Sequence, residues 1–207
     1  MKNKFLFFLI IGGILTILLL VIVYFVFWNK NNFYMANTTE TQDKSVQDKD
    51  VSQNKLVTDD FEITLTDGWI KTQASAGTLA MAVATDENTL DSGAKKINFR
   101  SYLAVSRDTF SGDSLIEYMQ TVKDALLATA PNAVFYNENE LQIKNRKAYA
   151  MEVEINQQEV NFKVLIVAVK GDGDDVWVMS FNTTKLDWEK YSQNFSDMAN
   201  SFFVKIK

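Results

Sequence analysis

Cysteine and histidine are both absent from this sequence. Their absence removes thiol nucleophiles, disulfides, the usual zinc sites, haem ligation by either residue and Ser-His-Asp chemistry. The fold therefore has no covalent staples and must rest on its core. Proline occurs once, at Pro131, outside every apolar run that reads as an element. A basic surplus is also lacking. Residues 55–207 carry 16 Lys and Arg against 22 Asp and Glu, near −6. An acidic domain repels phosphate backbones, so no nucleic-acid partner is expected. No glycine-rich phosphate loop follows a strand, because Gly171-Asp172-Gly173-Asp174 lacks the lysine and the helix start that such a loop needs.

What is present begins with residues 5–28, FLFFLIIGGILTILLLVIVYFVFW, a run of 24 residues without a charge. As a helix at about 1.5 Å per residue it exceeds the ~30 Å hydrocarbon core of a bilayer. Signal-peptide cores run about 7–15 residues, and no small-x-small cleavage site follows, so an uncleaved anchor is expected. No cysteine follows for lipid attachment. Lys2, Lys4 and the N-terminal amine precede the span, which places residues 1–4 in the cytoplasm and the remainder outside it, a single-pass cell-membrane topology. Gly12-Gly13 lacks the full GxxxG spacing of a helix-pairing face and reads as ordinary membrane-helix glycine.

Residues 29–57 are rich in Asn, Gln, Thr, Ser, Asp and Lys and have no apolar periodicity. They read as a disordered tether with a mean span of roughly 30 Å. The triplets Asn37-Thr38-Thr39, Asn182-Thr183-Thr184 and Asn194-Phe195-Ser196 match the glycosylation sequon, a pattern that arises often by chance.

From 58 to 207 the apolar pattern predicts one α+β domain. Phe61, Ile63 and Leu65 alternate with polar residues, and Thr66-Asp67-Gly68 then leads to Trp69, which predicts a hairpin of strands near 60–65 and 69–73. Met81 and Val83 mark a strand near 79–85, and Ile97, Phe99, Leu103 and Val105 a longer one. Tyr149, Met151, Val153 and Ile155 face one way and Glu152 and Glu154 the other. Residues 160–169 become apolar on both faces, as a covered central strand does. After the turn at 171–175 the chain returns over 176–181, and strands joined so tightly pair antiparallel. A first helix is predicted over 115–129, with Ser114 and Glu117 at capping-box spacing, the stripe Leu115, Met119, Val122 and Leu126, and Pro131 beyond its end. A second is predicted over 185–201, where Trp188, Tyr191, Phe195, Met198 and Phe202 form one aromatic face.

Taken in order, these segments resemble the PsbP/DcrB-like family. Phe61-Glu62-Ile63-Thr64-Leu65-Thr66-Asp67-Gly68-Trp69 is similar to the family's opening strand and Pro-x-Gly-Trp turn, with Thr66 in place of proline. Ile143-Lys144-Asn145-Arg146-Lys147-Ala148-Tyr149 is similar to its Ile-x-Gly-x-x-Ala-Tyr turn, with Asn145 in place of glycine, a swap that positive φ would tolerate. Ser201-Phe202 matches its final pair. The resemblance covers about 58–207. It implies an antiparallel sheet flanked by helices, an α/β/α sandwich, in a non-catalytic exported accessory protein with an envelope protein partner. A histidine-based metal site of such subunits has no counterpart here.

Other chemistry is weaker. Asp172, Asp174 and Asp175 could cluster on Ca²⁺, but they lack the twelve-residue loop and terminal glutamate, and turns favour Asp and Gly in any case. Glu152 and Glu154 could pair as a hydrolase's two acids, although a solvated strand face explains them. Lys95-Lys96 and Arg146-Lys147 are small basic spots with the look of turns. No residue is assigned a catalytic, cofactor or metal role. The leading expectation is a tethered binding module; a carboxylate-based hydrolase of envelope polymers and a small-ligand or ion sensor are the alternatives.

Overall fold

A computed structural model describes residues 54–85, 88–112, 114–157 and 159–205. The expected membrane span, 5–28, and the tether up to residue 53 lie outside the described residues. Among the described residues no helix is long and apolar enough to cross a membrane.

The elements, in chain order, are β1 (Lys55–Val57), β2 (Phe61–Thr64), β3 (Trp69–Thr72), β4 (Ala80–Ala84), α1 (Ser92–Lys96), β5 (Tyr102–Thr109), α2 (Leu115–Thr129), β6 (Val134–Ile143), β7 (Arg146–Gln157), β8 (Val160–Lys170), β9 (Asp175–Thr184), α3 (Trp188–Ser201) and β10 (Phe203–Val204). Seven strands form one sheet in the order β3-β4-β5-β9-β8-β7-β6, and β1-β2-β10 form a second, smaller sheet. Every pairing is antiparallel.

The large sheet is covered on both faces, so this is an α+β architecture with helices on either side. On one face α2 packs Leu115, Tyr118, Met119, Val122 and Leu126 against Met151, Val153, Ile155 and their neighbours in β8 and β9. On the other, α3 packs Trp188, Tyr191, Phe195 and Met198 against Phe181, Val167 and Trp69, and the small sheet adds Leu56, Phe61 and Ile63. Period-two alternation in β7 divides its side chains between these two cores, while β9 is buried along almost its whole length. A third cluster joins Phe99, Tyr102 and Phe162 beside α1.

The helix over 115–129 forms as expected. Ser114 Oγ accepts the Glu117 N–H at 3.3 Å, satisfying a first-turn donor. The aromatic stripe of 188–202 is the buried face of α3, which begins at Trp188 rather than 185.

Four local expectations are corrected. The strands at 61–64 and 69–72 exist but do not form a hairpin. β2 pairs with β1 and β10, β3 pairs with β4, and the turn at Gly68 (φ 81°) carries the chain from the small sheet to the large one. Ile97 and Phe99 do not belong to the following strand. Asp91 caps α1 through the Ala94 N–H at 2.9 Å, and Asn98 (φ 52°) ends that helical turn before β5 starts. Lys55–Val57, within the expected tether, are already β1, with Leu56 fully buried. In the turn between β6 and β7 the positive φ falls on Lys144 (55°), not on Asn145. Lys95 and Lys96 stand in the last turn of α1, where cations favour the helix dipole.

The glycines of the β8–β9 turn differ in what they tolerate. A Cβ on Gly171 would lie 2.6 Å from Asp175 Cβ, whereas Gly173 (φ 57°) has nothing within 4 Å. Gly171→Ala is expected to cost about 1–3 kcal/mol through overpacking. Gly173→Ala is expected to cost only about 1 kcal/mol, for its backbone conformation. Urea denaturation of the two variants side by side checks the order.

Candidate functional site

Beyond the N-terminus of α2 the large sheet is left uncovered, and a cavity of about 820 Å³ opens there. Its floor is strand surface: Glu140 and Gln142 from β6, Lys147 from β7 and Lys170 at the end of β8. Phe110 and Leu115 form the opposite wall. The loop between them depends on Gly112, because a Cβ there would overlap the Phe110 ring. Asn145, at the β6–β7 turn, closes the end.

The register decides the electrostatics of this floor. Ala148 pairs with Val169, so one step further along antiparallel strands Lys147 stands opposite Lys170. Period two places both on the face that holds Tyr149 and Ala168. Among the described residues neither amine has an ion pair or a hydrogen bond. Like charges facing each other across neighbouring strands destabilise the pair. Glu140 sits two pairs along, opposite Tyr149 on the same face, without closing an ion pair on either lysine. Burial, then the neighbouring carboxylates of Glu138 and Glu140, push the Tyr149 hydroxyl's pKa up.

The acids considered from sequence do not converge. Glu152 Oε2 lies 2.8 Å from Lys163 Nζ, an ion pair rather than an aligned hydrogen bond, and Lys163 also sits 4.3 Å from the Trp188 ring centroid. Glu154 takes a different cation, Lys185, at 2.6 Å, and this hydrogen bond raises the lysine's pKa. In the acidic turn Asp172 pairs with Arg146 at 3.0 Å and Asp175 with Arg107 at 3.9 Å. Among the described residues no three Asp or Glu side chains are grouped to hold a metal ion. The basic spot Arg146-Lys147 is thereby divided: Arg146 is neutralised by the turn, and Lys147 faces the cavity.

A polar cluster that sequence reasoning missed lies at the start of α3. The Asp187 carboxylate is almost fully buried and accepts hydrogen bonds from the hydroxyls of Thr89 and Thr184 and from the Leu90 N–H. It ties residues 89–90 to the end of β9, and the neighbouring Leu90 and Leu186 are exposed. Thr89 lies nearly a hundred residues before Thr184 and Asp187, a separation that carries no sequence signal of this kind.

Two tyrosines make alkaline stability testable. Burial raises the Tyr102 pKa, and burial followed by the Asp108 carboxylate raises that of Tyr118, whose hydroxyl donates to Asp108 at 3.1 Å. The unfolded chain releases both protons near the ordinary value of 10.0, while the native state keeps them. Their contribution is therefore complete below about pH 10 and is lost as pH climbs toward the folded values. Absorbance at 295 nm should show these two ionising only together with loss of the near-ultraviolet circular dichroism. Ionisation with the fold intact would contradict the assignment.

No protein-family model matches the sequence, and no curated protein matches it. Solved structures do match. Cyanobacterial PsbP (CyanoP) from Synechocystis sp. PCC 6803 is 14% identical at a TM-score of 0.50, over 78% of this chain and 98% of that one. LpqN of Mycobacterium tuberculosis, a protein involved in cell envelope biogenesis, is 13% identical at 0.50, over 70% and 83%. The Ran-binding protein Mog1p of Saccharomyces cerevisiae is 12% identical at 0.50, over 70% and 89%. At these identities the likeness concerns the fold alone, which is PsbP/Mog1-like.

Proposed function

We propose that this protein is a membrane-tethered accessory module that holds an envelope protein partner outside the cytoplasm and performs no catalysis. The observation that carries the reading is the open groove over the end of the sheet, with a polar floor and an apolar wall, away from the ion-paired Glu152 and Glu154. Such a surface suits a polypeptide segment better than a small substrate, which needs enclosure. Two proteins of the same fold support the reading: one is Ran-binding and another serves cell envelope biogenesis. The uncharged run at 5–28 and the polar stretch after it supply the anchor and the reach.

The test is light cross-linking of the full-length protein in its own host, with a truncated protein lacking 58–207 as control. A partner captured by the full chain and lost on truncation is the expected result. Capture of the same proteins by both would remove the domain from the interaction. Purified protein that turned over an envelope polymer, and lost that activity on a single carboxylate substitution, would overturn the non-catalytic reading.

A further inference from the structure

We propose that the groove beside α2 is a carboxylate-recognition site, in which Lys147 and Lys170 together grip an acidic side chain of an extended partner segment. The proposal rests on the reading of a protein partner and specifies the chemistry of its contact. Its basis is the placement of two lysines on β7 and β8, each one residue beyond the last ladder pair Ala148↔Val169, both lining one cavity and without a protein counter-charge among the described residues. Three other cations on or next to this sheet, Lys163, Lys185 and Arg146, each have a carboxylate. In a domain with a surplus of acids, two lysines left facing one another form an electrostatic vacancy that an external anion fills.

The surroundings select the kind of anion. Glu140 shares the floor, and Glu117 occupies the first turn of α2 and reaches toward Gly112. A phosphate, with nearly two charges and three oxygens to satisfy, meets both glutamates; a carboxylate with a single charge fits between the lysines. Phe110 and Leu115 then offer an apolar wall to the neighbouring residue of the same segment. The ligand class is therefore a polypeptide stretch in which an acidic side chain adjoins an apolar one.

The arrangement carries its own signature. Because the lysines repel each other in the empty groove, removing one charge relieves the fold while weakening the site. Full-length protein in detergent micelles is titrated with a fluorescent peptide alternating glutamate and leucine, followed by anisotropy. The matching glutamine–leucine peptide and inorganic phosphate serve as comparison probes. Expected results are saturable, salt-sensitive binding of the glutamate peptide, weakened roughly tenfold or more in Lys147→Gln and in Lys170→Gln. Both variants should melt at or above the parent temperature. Lys71→Gln, at an exposed lysine of the β3 edge, should bind as the parent does. Independently of any variant, ¹³C-methylated lysine resonances of Lys147 and Lys170 should shift with the glutamate peptide and that of Lys71 should not.

The proposal is overturned by an absence of binding, by equal binding of the glutamine peptide, by displacement with millimolar phosphate that shifts the same two resonances, or by parent-like affinity in both variants. Cross-linking separates the two levels of the claim. A partner retained by the Lys147→Gln/Lys170→Gln double variant but lost on truncation ends the groove assignment and leaves the tethered-module reading standing. No specific partner for the parent chain ends that reading, whatever the peptides do.

Discussion

Phe195→Ala is expected to remove about 3–5 kcal/mol of folding stability, the range for emptying a large aromatic site in a core that cannot collapse. Phe195 is fully buried at the middle of α3. Its ring meets those of Trp69, Phe181, Trp188 and Tyr191 with centroids 5.4–6.0 Å apart. Two of those partners stand on other elements, so helix, edge strand β3 and central strand β9 meet at this one side chain. The backbone cannot close the hole without moving the helix off the sheet. Domains of this size have ~5–15 kcal/mol in total, so the loss is a large fraction of the whole. Chemical denaturation should show a markedly lower midpoint with an unchanged slope. A shift equivalent to less than about 1 kcal/mol would mean that Phe195 does not hold α3 to the sheet.

The second large effect belongs to a polar residue. Asp187→Ala leaves the buried hydroxyls of Thr89 and Thr184 and the part-buried Leu90 N–H without their common acceptor. Hydrogen bonds to a charged group contribute about 1.5–3 kcal/mol each, but bonds sharing one carboxylate do not add fully, and a total near 3–4 kcal/mol is expected. Asp187→Asn keeps the shape and one carbonyl acceptor, and should fall between the alanine variant and the parent. Hydrogen exchange locates the effect: the amide of Leu90 should lose protection in both variants before the strands do. Equal protection of that amide in parent and alanine variant would show that residues 89–90 are held by something else.

Much of this domain is written in its local pattern. α2 could be bounded from Ser114, Glu117 and Pro131, and the buried faces of β7 and α3 from periods of two and of three to four. The failures have physical causes. Consecutive strands β2 and β3 look like a hairpin because a glycine turn joins them, yet other partners win their edges: β1 and, from the far end of the chain, β10 for β2, and the next strand, β4, for β3. β6 escaped notice because the register shift between Tyr136 and Asn139 breaks its alternation and most of its side chains are exposed. Ile97 and Phe99 alternate like a strand but serve as packing for Phe162 and Tyr102. The groove was half visible. Lys147 was noticed as one of a basic pair, but Lys170 lies 23 positions on, and only the β7–β8 register makes them neighbours.

The small sheet has a further consequence, which concerns force. Any pull arriving from the preceding chain enters at Lys55, the open end of the β1–β2 hairpin, where it opposes Thr64. A three-residue strand loaded at its open end peels one backbone pair at a time, with Leu56 as its single fully buried anchor. The seven-stranded sheet and its groove share none of that ladder. Under tension β1 would yield first, lengthening the chain ahead of the domain by a few residues while the seven-stranded sheet stays folded, so this short strand would act as a mechanical fuse.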